Sequence, residues 1–439
     1  MNSTAPFLND IERLNEWLGP QALRRYQIDW LEDDSGSVIS PFDGKPQPLQ
    51  ACYLIASNQI AYQFDGGRFY LLVGPQQWGY PLRYLIDAEA GRLLEIRPLA
   101  SGGLFEPQSS PWPVEDLLST VQGLRERAPV NQRTHALFGD GNFAHLLWNG
   151  WPALAALPDQ SLSLNKVRFV SRCDPMGDAA QLFPWLRALD VTAWDDRTDL
   201  HAGAAFQRAV FLGASYLSAS LVSQVRSYCE RQADQDIKRD LDRLADQARC
   251  VIWLSLRRRA RDCPNTVDFL SALIPHLLDH PSVGILIDGF SMPDCRVPDV
   301  FHDYRRGVDK DFSSLLRRCP QLPGLIDIGR AIYLNGRSIH DAITAASVAN
   351  AYICHGGTQQ HKIGWLHAVP GVVHLPNPRA SVSKWYALQS EVALAPACMP
   401  ASAIEIDPDP ALPEAQRSYR LRVDEAVAFT LRELAPILA

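Results

Sequence analysis

Residues His355-Gly356-Gly357-Thr358 follow an apolar run and precede a helical one, with Gln359 next and Lys362 one turn further on. Glycines at such a turn let backbone N–H groups approach a phosphate. The helix start adds partial positive charge and a lysine adds a full one. An ordinary Gly-rich strand-to-helix turn has the same composition, and the loop is a shorter fingerprint than the full dinucleotide motif. Arg257, Arg258, Arg259 and Arg261 follow a second apolar run. Guanidinium forks match phosphate oxygens bidentately, although two of the four are expected to face water. Asp288-Gly289 ends a third such run, where an acidic residue can hold a ribose hydroxyl. The expected phosphate- and ribose-contacting set is Arg257, Arg258, Asp288, His355, Gly356, Gly357, Thr358, Gln359 and Lys362.

A second group lies in Asp140-Gly141-Asn142-Phe143-Ala144-His145. Asn142 can cap a helix, which puts His145 in its first turn. A histidine there can take a proton near neutral pH, so His145 is the first candidate general base and Asp140 the second. A packed or capping histidine fits the same position. Asn142 and Trp148 are candidate acceptor contacts, since an indole can stack on a sugar ring, yet Trp148 and Trp151 at three-residue spacing also suit a core face. His355, His361 and His367 are spaced by six, which does not keep them on one helix face with a carboxylate, so neither a metal site nor a cofactor is expected. A GxSxG elbow, a Walker loop and a kinase motif set are all absent.

The elements that must position these groups read as alternating strands and helices. A short amphipathic helix (Ile11, Leu14, Leu18) opens the chain, and residues 51–97 form a β-meander split at Asp65-Gly66-Gly67 and Ala90-Gly91. The Pro107–Pro113 stretch closes it. Strands are then expected at 133–138, 167–171 and 208–213, with a helix over Phe143–Leu157 interrupted at Pro152. A charge-rich helix, Arg231–Gln247, carries Ile237, Leu241 and Leu244 at helical spacing and leads to the next domain. Beyond it the continuous apolar runs 250–256, 283–288, 351–355 and 371–375 have the character of strands buried on both faces of a parallel sheet. Helices are expected at 266–278, 339–347 and 359–367. A connector with Pro396, Pro400, Pro408, Pro410 and Pro413 precedes a last helix, Val423–Leu434, stopped by Pro436. The fold class is α/β, with a β-rich extension over 1–110 and Rossmann-like domains over 111–240 and 241–439.

Length and composition agree with this. The chain has 439 residues, 46% hydrophobic and 21% charged, the balance of a globular protein of about two domains. A net charge of −7 gives no global attraction for nucleic acid. No apolar run reaches the ~20 residues of a membrane span. The first residues lack a basic start and apolar block, so no secretory signal is read and the cytoplasm is expected. Nine scattered cysteines without a CxxC pair are expected to be reduced.

Two Rossmann-like halves, a late Gly-rich anion loop and a Pro-rich connector with a terminal helix together resemble the GT-B class of glycosyltransferases. GDGNFAHLLWN (139–149) resembles the Gly-Asn-aromatic-x-His segment of the family that includes plant xylan arabinosyl- and xylosyltransferases and the EGF-domain N-acetylglucosaminyltransferase. YICHGGTQQHKIGWL (352–366) is similar to that family's late His-Gly-x-x loop and helix. The resemblance spans about residues 130–375. It implies two domains facing a cleft, with a nucleotide-sugar donor on the C-terminal one. The acceptor, a glycan, lipid-linked glycan or protein, would lie on the N-terminal domain, with the terminal helix crossing back. It further implies an inverting, metal-independent transfer by a bacterial-type enzyme of polysaccharide biosynthesis. A lipid-linked acceptor would allow peripheral membrane association. A nucleotide-sugar 2-epimerase and a non-catalytic nucleotide-sugar or glycan-binding scaffold share the same features.

Overall fold

The computed structural model describes residues 31, 37–40, 42–56, 59–73, 82–95, 114–127, 131–159, 164, 167–171, 174–189, 191–193, 205–214, 216–258, 261–295, 299–376, 380–408 and 417–439. The opening helix, the Pro107–Pro113 stretch, Arg259, Pro410 and Pro413 lie outside the described residues. The chain is mixed α/β and divides into two units. One is Met1–Asp174 with Asp178–Leu217; the other is Pro175–Gly177 with Ser218–Ala439.

The first unit is built on one nine-stranded sheet. Its strands are β1 (Ala51–Ala56), β2 (Gln59–Phe64), β3 (Phe69–Val73), β4 (Leu82–Asp87), β5 (Arg92–Glu95), β6 (Asn131–Phe138), β7 (Val167–Ser171), β8 (Val191–Ala193) and β9 (Ala205–Phe211), in the order β8-β7-β6-β9-β1-β2-β3-β4-β5. The strands β8-β7-β6-β9 are parallel, and β1 to β5 form the expected antiparallel meander. Phe206 of β9 pairs antiparallel with Cys52 of β1, so the β-rich start continues the parallel sheet. The hairpin between β2 and β3 turns through Asp65, Gly66 and Gly67, all at positive φ. The two glycines make that left-handed path accessible.

The second unit carries a six-stranded, wholly parallel sheet: β10 (Cys250–Ser255), β11 (Val283–Asp288), β12 (Ala331–Tyr333), β13 (Ala351–His355), β14 (Gly371–His374) and β15 (Ala397–Cys398). The order β12-β11-β10-β13-β14-β15 is the Rossmann order 3-2-1-4-5-6. Side chains alternate between two cores: Cys250, Ile252 and Leu254 face one, Val251 and Trp253 the other. That is why these strands are apolar throughout.

Four local expectations are corrected. The charged helix expected over Arg231–Gln247 begins at Gln235, Arg231 belonging to the preceding helix Ala219–Gln232. Both lie in the second unit, because Ile237, Leu241 and Leu244 bury against Val251 and Trp253. The last helix runs Val423–Leu438 with Pro436 inside it. A proline in the final turn removes only a donor to a carbonyl near the helix end. This helix places Ala426, Val427 and Leu434 in the second unit's own core. Within the Pro-rich connector, Ile404–Ile406 pairs antiparallel with Tyr419–Leu421. Cys295 is disulfide-bonded, against the expectation of reduced thiols throughout; scattered spacing gives no sign of pairs brought together by tertiary folding. Cys52 and Cys354 are free and buried, and burial pushes the Cys52 thiol up to about 12. Among the described residues no helix is long and apolar enough to cross a membrane.

Candidate functional site

In an open parallel sheet the strand order reverses at one point, and the loops beyond the carboxyl ends there splay apart to form a crevice. In the second unit that point lies between β10 and β13. The loop after β10 carries Arg257, Arg258 and Arg261; the loop after β13 carries Gly356 and Gly357. Gly357 adopts φ +118°, a conformation that favours glycine. A Cβ at Gly357 would stand 3.3 Å from Arg261 Nη2 and 3.5 Å from Arg257 Nη1. Two guanidinium groups from one loop thus converge on a glycine of the other. Gly356 is also tightly packed, since a Cβ there would meet the Tyr386 hydroxyl at 3.0 Å.

The arginines divide by partner. Arg257 Nη1 lies 2.6 Å from His355 Nδ1 and donates to the Gly356 carbonyl at 3.3 Å. Arg261 has φ +62°, a left-handed backbone unusual for a residue with a side chain, and its guanidinium has no hydrogen-bond or ion-pair partner among the described residues. Arg258, expected to bind a donor, is instead gripped by carboxylates. Its Nε and Nη2 reach Asp311 at 2.6 and 2.7 Å, and its Nη1 reaches Asp262 at 3.1 Å. These anions raise its pKa further above the ordinary arginine value. Arg258 is therefore held in an ion pair, while the Arg261 guanidinium lies beside Gly357.

Lys362 and Asp288, also expected at the donor site, pair with each other. The Lys362 ammonium sits 2.7 Å from Asp288 Oδ1 and 2.6 Å from Oδ2, with further donations to Ser291 Oγ at 2.9 Å and the Gly289 carbonyl at 3.3 Å. Both residues are buried, 3% and 0% exposed, so each spends its charge on the other. Burial raises the Asp288 pKa, and the nearby ammonium offsets part of that rise. Gln359 donates through Nε2 to the carbonyls of Leu256 at 2.6 Å and Gly289 at 3.3 Å, tying together the loops after β10 and β11. Its Oε1 is buried with no hydrogen-bond partner among the described residues. Thr358 opens the helix Thr358–Gly364, half-buried beside Gly357.

The first unit repeats the topology, with the strand order reversing between β6 and β9. Gly139 turns the chain out of β6 at φ +94°. Asp140 Oδ1 accepts the Asn142 N–H at 2.7 Å, and Asn142 Oδ1 caps the short helix Phe143–His145 by accepting the Ala144 N–H at 3.0 Å. A π-helical turn, Leu146–Gly150, follows, and then a helix from Trp151 to Ala156. Pro152 has no N–H to offer the preceding turn, and the interruption expected there in the helix over Phe143–Leu157 takes the form of this widened turn. The wide turn directs Asn149 to the loop after β9, where Nδ2 donates to the Ala214 carbonyl at 2.8 Å.

His145 lies at this edge, half-buried. Burial lowers its pKa below 6.5, with Asp140 and Asn149 opposing in part. It is neutral at neutral pH, the state a general base needs. Trp148 and Trp151 are buried, 7% and 1% exposed, and Trp151 packs edge-on against Phe183, so the core reading of both indoles is the one their burial favours. Among the described residues no group of three or more His, Cys, Asp or Glu is arranged to hold a metal ion.

No protein-family model matches the chain, and no curated protein matches it by sequence. Among solved structures it is similar to a glycosyl transferase family 9 protein from Veillonella parvula, with 11% identity over 57% of this chain and 82% of that one and a TM-score of 0.32. It is also similar to a UDP-forming α,α-trehalose-phosphate synthase from Burkholderia xenovorans, with 12% identity over 59% of this chain and 64% of that one and a TM-score of 0.26. A glycosylation associate protein complex from Streptococcus agalactiae aligns with 84% of this chain and 72% of its own at 11% identity and a TM-score of 0.23. TM-scores this low leave the fold to be read from the chain's own topology and the function from its own site.

Proposed function

We propose that the chain is a glycosyltransferase that moves a sugar from a nucleotide-sugar donor to the hydroxyl of a glycan, lipid-linked glycan or protein. The observation that carries this is the convergence of Arg257 and Arg261 on Gly357 at the switch point of the Rossmann-ordered sheet. Breaking the bond between the sugar and the diphosphate leaves negative charge on the departing group. Preorganised cations and backbone N–H groups stabilise that charge most where it develops. Arg257, Arg261 and the Gly356-Gly357 loop are the groups proposed for this role, and the buried Gln359 Oε1 offers an acceptor to a ribose hydroxyl. With the leaving charge met by guanidinium, no metal is required.

The second unit is accordingly assigned the donor and the first unit the acceptor. His145 takes the acceptor hydroxyl's proton as the new glycosidic bond forms, with Asp140 as the competing base and Asn142 beside it at the acceptor. Arg258, Asp288 and Lys362 are removed from the donor set, since their charges are already paired.

A thermal-shift panel of UDP, GDP, CMP and their sugars, with and without EDTA, tests the proposal. A ligand at a hundred times its Kd should add about 2.7 kcal/mol of stability. Stabilisation by a nucleoside diphosphate, unchanged by EDTA, is expected, with sugar transfer on addition of acceptor. Absence of any diphosphate effect overturns the donor site. Binding without turnover would leave a scaffold, and release of an epimer without acceptor would indicate a 2-epimerase.

A further inference from the structure

His355 ends β13 and is 2% exposed. Its Nε2 lies 2.8 Å from the carbonyl of Arg261, and its Nδ1 lies 2.6 Å from Arg257 Nη1. Nε2 faces only an acceptor, the Arg261 carbonyl, and carries the proton; Nδ1 faces both the Arg257 donor and the Gly356 carbonyl at 2.6 Å, and a neutral ring protonated at Nε2 accepts from the guanidinium. The Gly356 carbonyl stands 2.6 Å from Nδ1 and 3.3 Å from the same Nη1, so Arg257 is shared between two acceptors of the Gly-rich loop. One ring therefore holds the side chain of one arginine and the backbone of the other.

We propose that His355 is a positioning residue that sets the Arg257 and Arg261 guanidinium groups as one two-pronged clamp for a diphosphate over Gly357, without itself touching the anion. This rests on the reading of that loop as the diphosphate site. Two observations support it beyond the contacts. Arg261 holds a left-handed backbone, which persists only where its surroundings over-determine it, and the bond from His355 Nε2 is one such restraint. The two guanidinium groups also approach the same glycine, so a diphosphate over Gly357 would meet both forks at once.

The charged and titratable groups facing the ring are Arg257, Arg261, His374 and Tyr419, the last two with ring centroids at 5.6 and 5.7 Å. Burial and then the neighbouring cations hold the His355 pKa well below its ordinary value. The ring thus stays neutral and its Nδ1 remains an acceptor for Arg257.

Calorimetric titration with inorganic pyrophosphate tests this on the full chain. His355→Phe keeps the ring's bulk and drops both contacts. His355→Asn keeps an acceptor near the Nδ1 position, and His355→Gln places a donor near the Nε2 position. The phenylalanine variant should lose at least about tenfold in affinity, the effect of one charged hydrogen bond, with the asparagine and glutamine variants each recovering part of it. In the double variant with Arg257→Ala, the His355→Phe loss should be smaller than in the wild-type background, because the two act through one contact. A folded His355→Phe protein with wild-type affinity, full additivity with Arg257→Ala, or equal losses in all three variants overturns the positioning role. Should His355→Phe fail to fold, the asparagine and glutamine variants decide: affinity lost equally and as completely as in Arg257→Ala with Arg261→Ala overturns it. If wild-type protein ignores pyrophosphate, or the paired arginine variant binds it normally, the diphosphate site itself falls and the clamp with it.

Discussion

Lys362 and Asp288, 74 residues apart in sequence, form a fully buried ion pair with Nζ 2.6 Å from Oδ2. The helix after β13 is thereby bolted to the end of β11, with Gln359 adding a second tie one turn earlier. Removing one member of such a pair leaves an uncompensated charge away from water, which costs about 3–5 kcal/mol. Lys362→Ala should therefore lower urea stability by that amount, whereas Asp288→Asn with Lys362→Met should lose markedly less. Equal losses in both would show that packing, not charge, accounts for the effect.

Arg258 and Arg261 should behave oppositely. Arg258→Ala strips Asp311 of its bidentate partner and should reduce stability by about 1–3 kcal/mol. Arg261→Ala removes a side chain with no partner among the described residues, so stability should hardly move, while diphosphate affinity should fall by about 1.5–3 kcal/mol. Denaturation and titration of both variants measure the two effects separately. A reversed pattern would return Arg258 to the donor site.

His145→Ala should reduce turnover by roughly 10²–10⁴-fold with donor affinity nearly constant, the signature of a lost general base. Asp140→Asn, measured alongside, separates the two candidates. Asp140 Oδ1 also accepts the Asn142 N–H at 2.7 Å, an acceptor that asparagine retains, so this variant removes the charge while keeping the turn. If His145→Ala keeps full turnover, the histidine is structural and Asp140 inherits the role.

Stability should fall as pH drops below about 6.5. Burial, the leading cause in each case, lowers the pKa of His145 and His355, takes His367 to about 4 and takes His374 to about 3. A histidine with a lower folded pKa binds protons preferentially in the unfolded chain. Its contribution is complete above the unfolded value near 6.5 and is lost as pH falls toward the folded one. Asp262 and Asp288, raised by burial, act in the opposite sense. His367 Nε2 lies 3.2 Å from the Ile343 carbonyl, so His367→Gln can keep a donor there while abolishing titration. The Tm of that variant should decline less between pH 6.5 and 4 than wild type; an identical decline would exclude His367 as a contributor.

Much of the architecture was legible along the chain. The runs at 167–171, 283–288 and 351–355 are strands with the expected bounds, the last two because a strand buried on both faces reads as a near-continuous apolar run. The turns at Asp65-Gly66-Gly67 and Gly356-Gly357 were legible because backbone conformation there depends on residues a few positions apart. Both βα loops singled out for chemistry, at Asp140–His145 and at His355–Thr358, lie at the carboxyl ends of strands beside a switch point.

Charge partners were not legible. That Arg258 belongs to Asp311 and Lys362 to Asp288 depends on strands and helices more than fifty residues apart meeting at one sheet edge, and that Cys295 is disulfide-bonded is likewise a matter of tertiary folding. A cation's sequence neighbours are silent on whether its charge is already neutralised. The sequence alone determined the strands, the turns and the supply of arginines near a glycine loop, since these follow from local periodicity and backbone sterics. Only the tertiary structure decided which arginines meet that glycine, because a free or paired charge is a property of what the folded chain brings within about 3 Å of it.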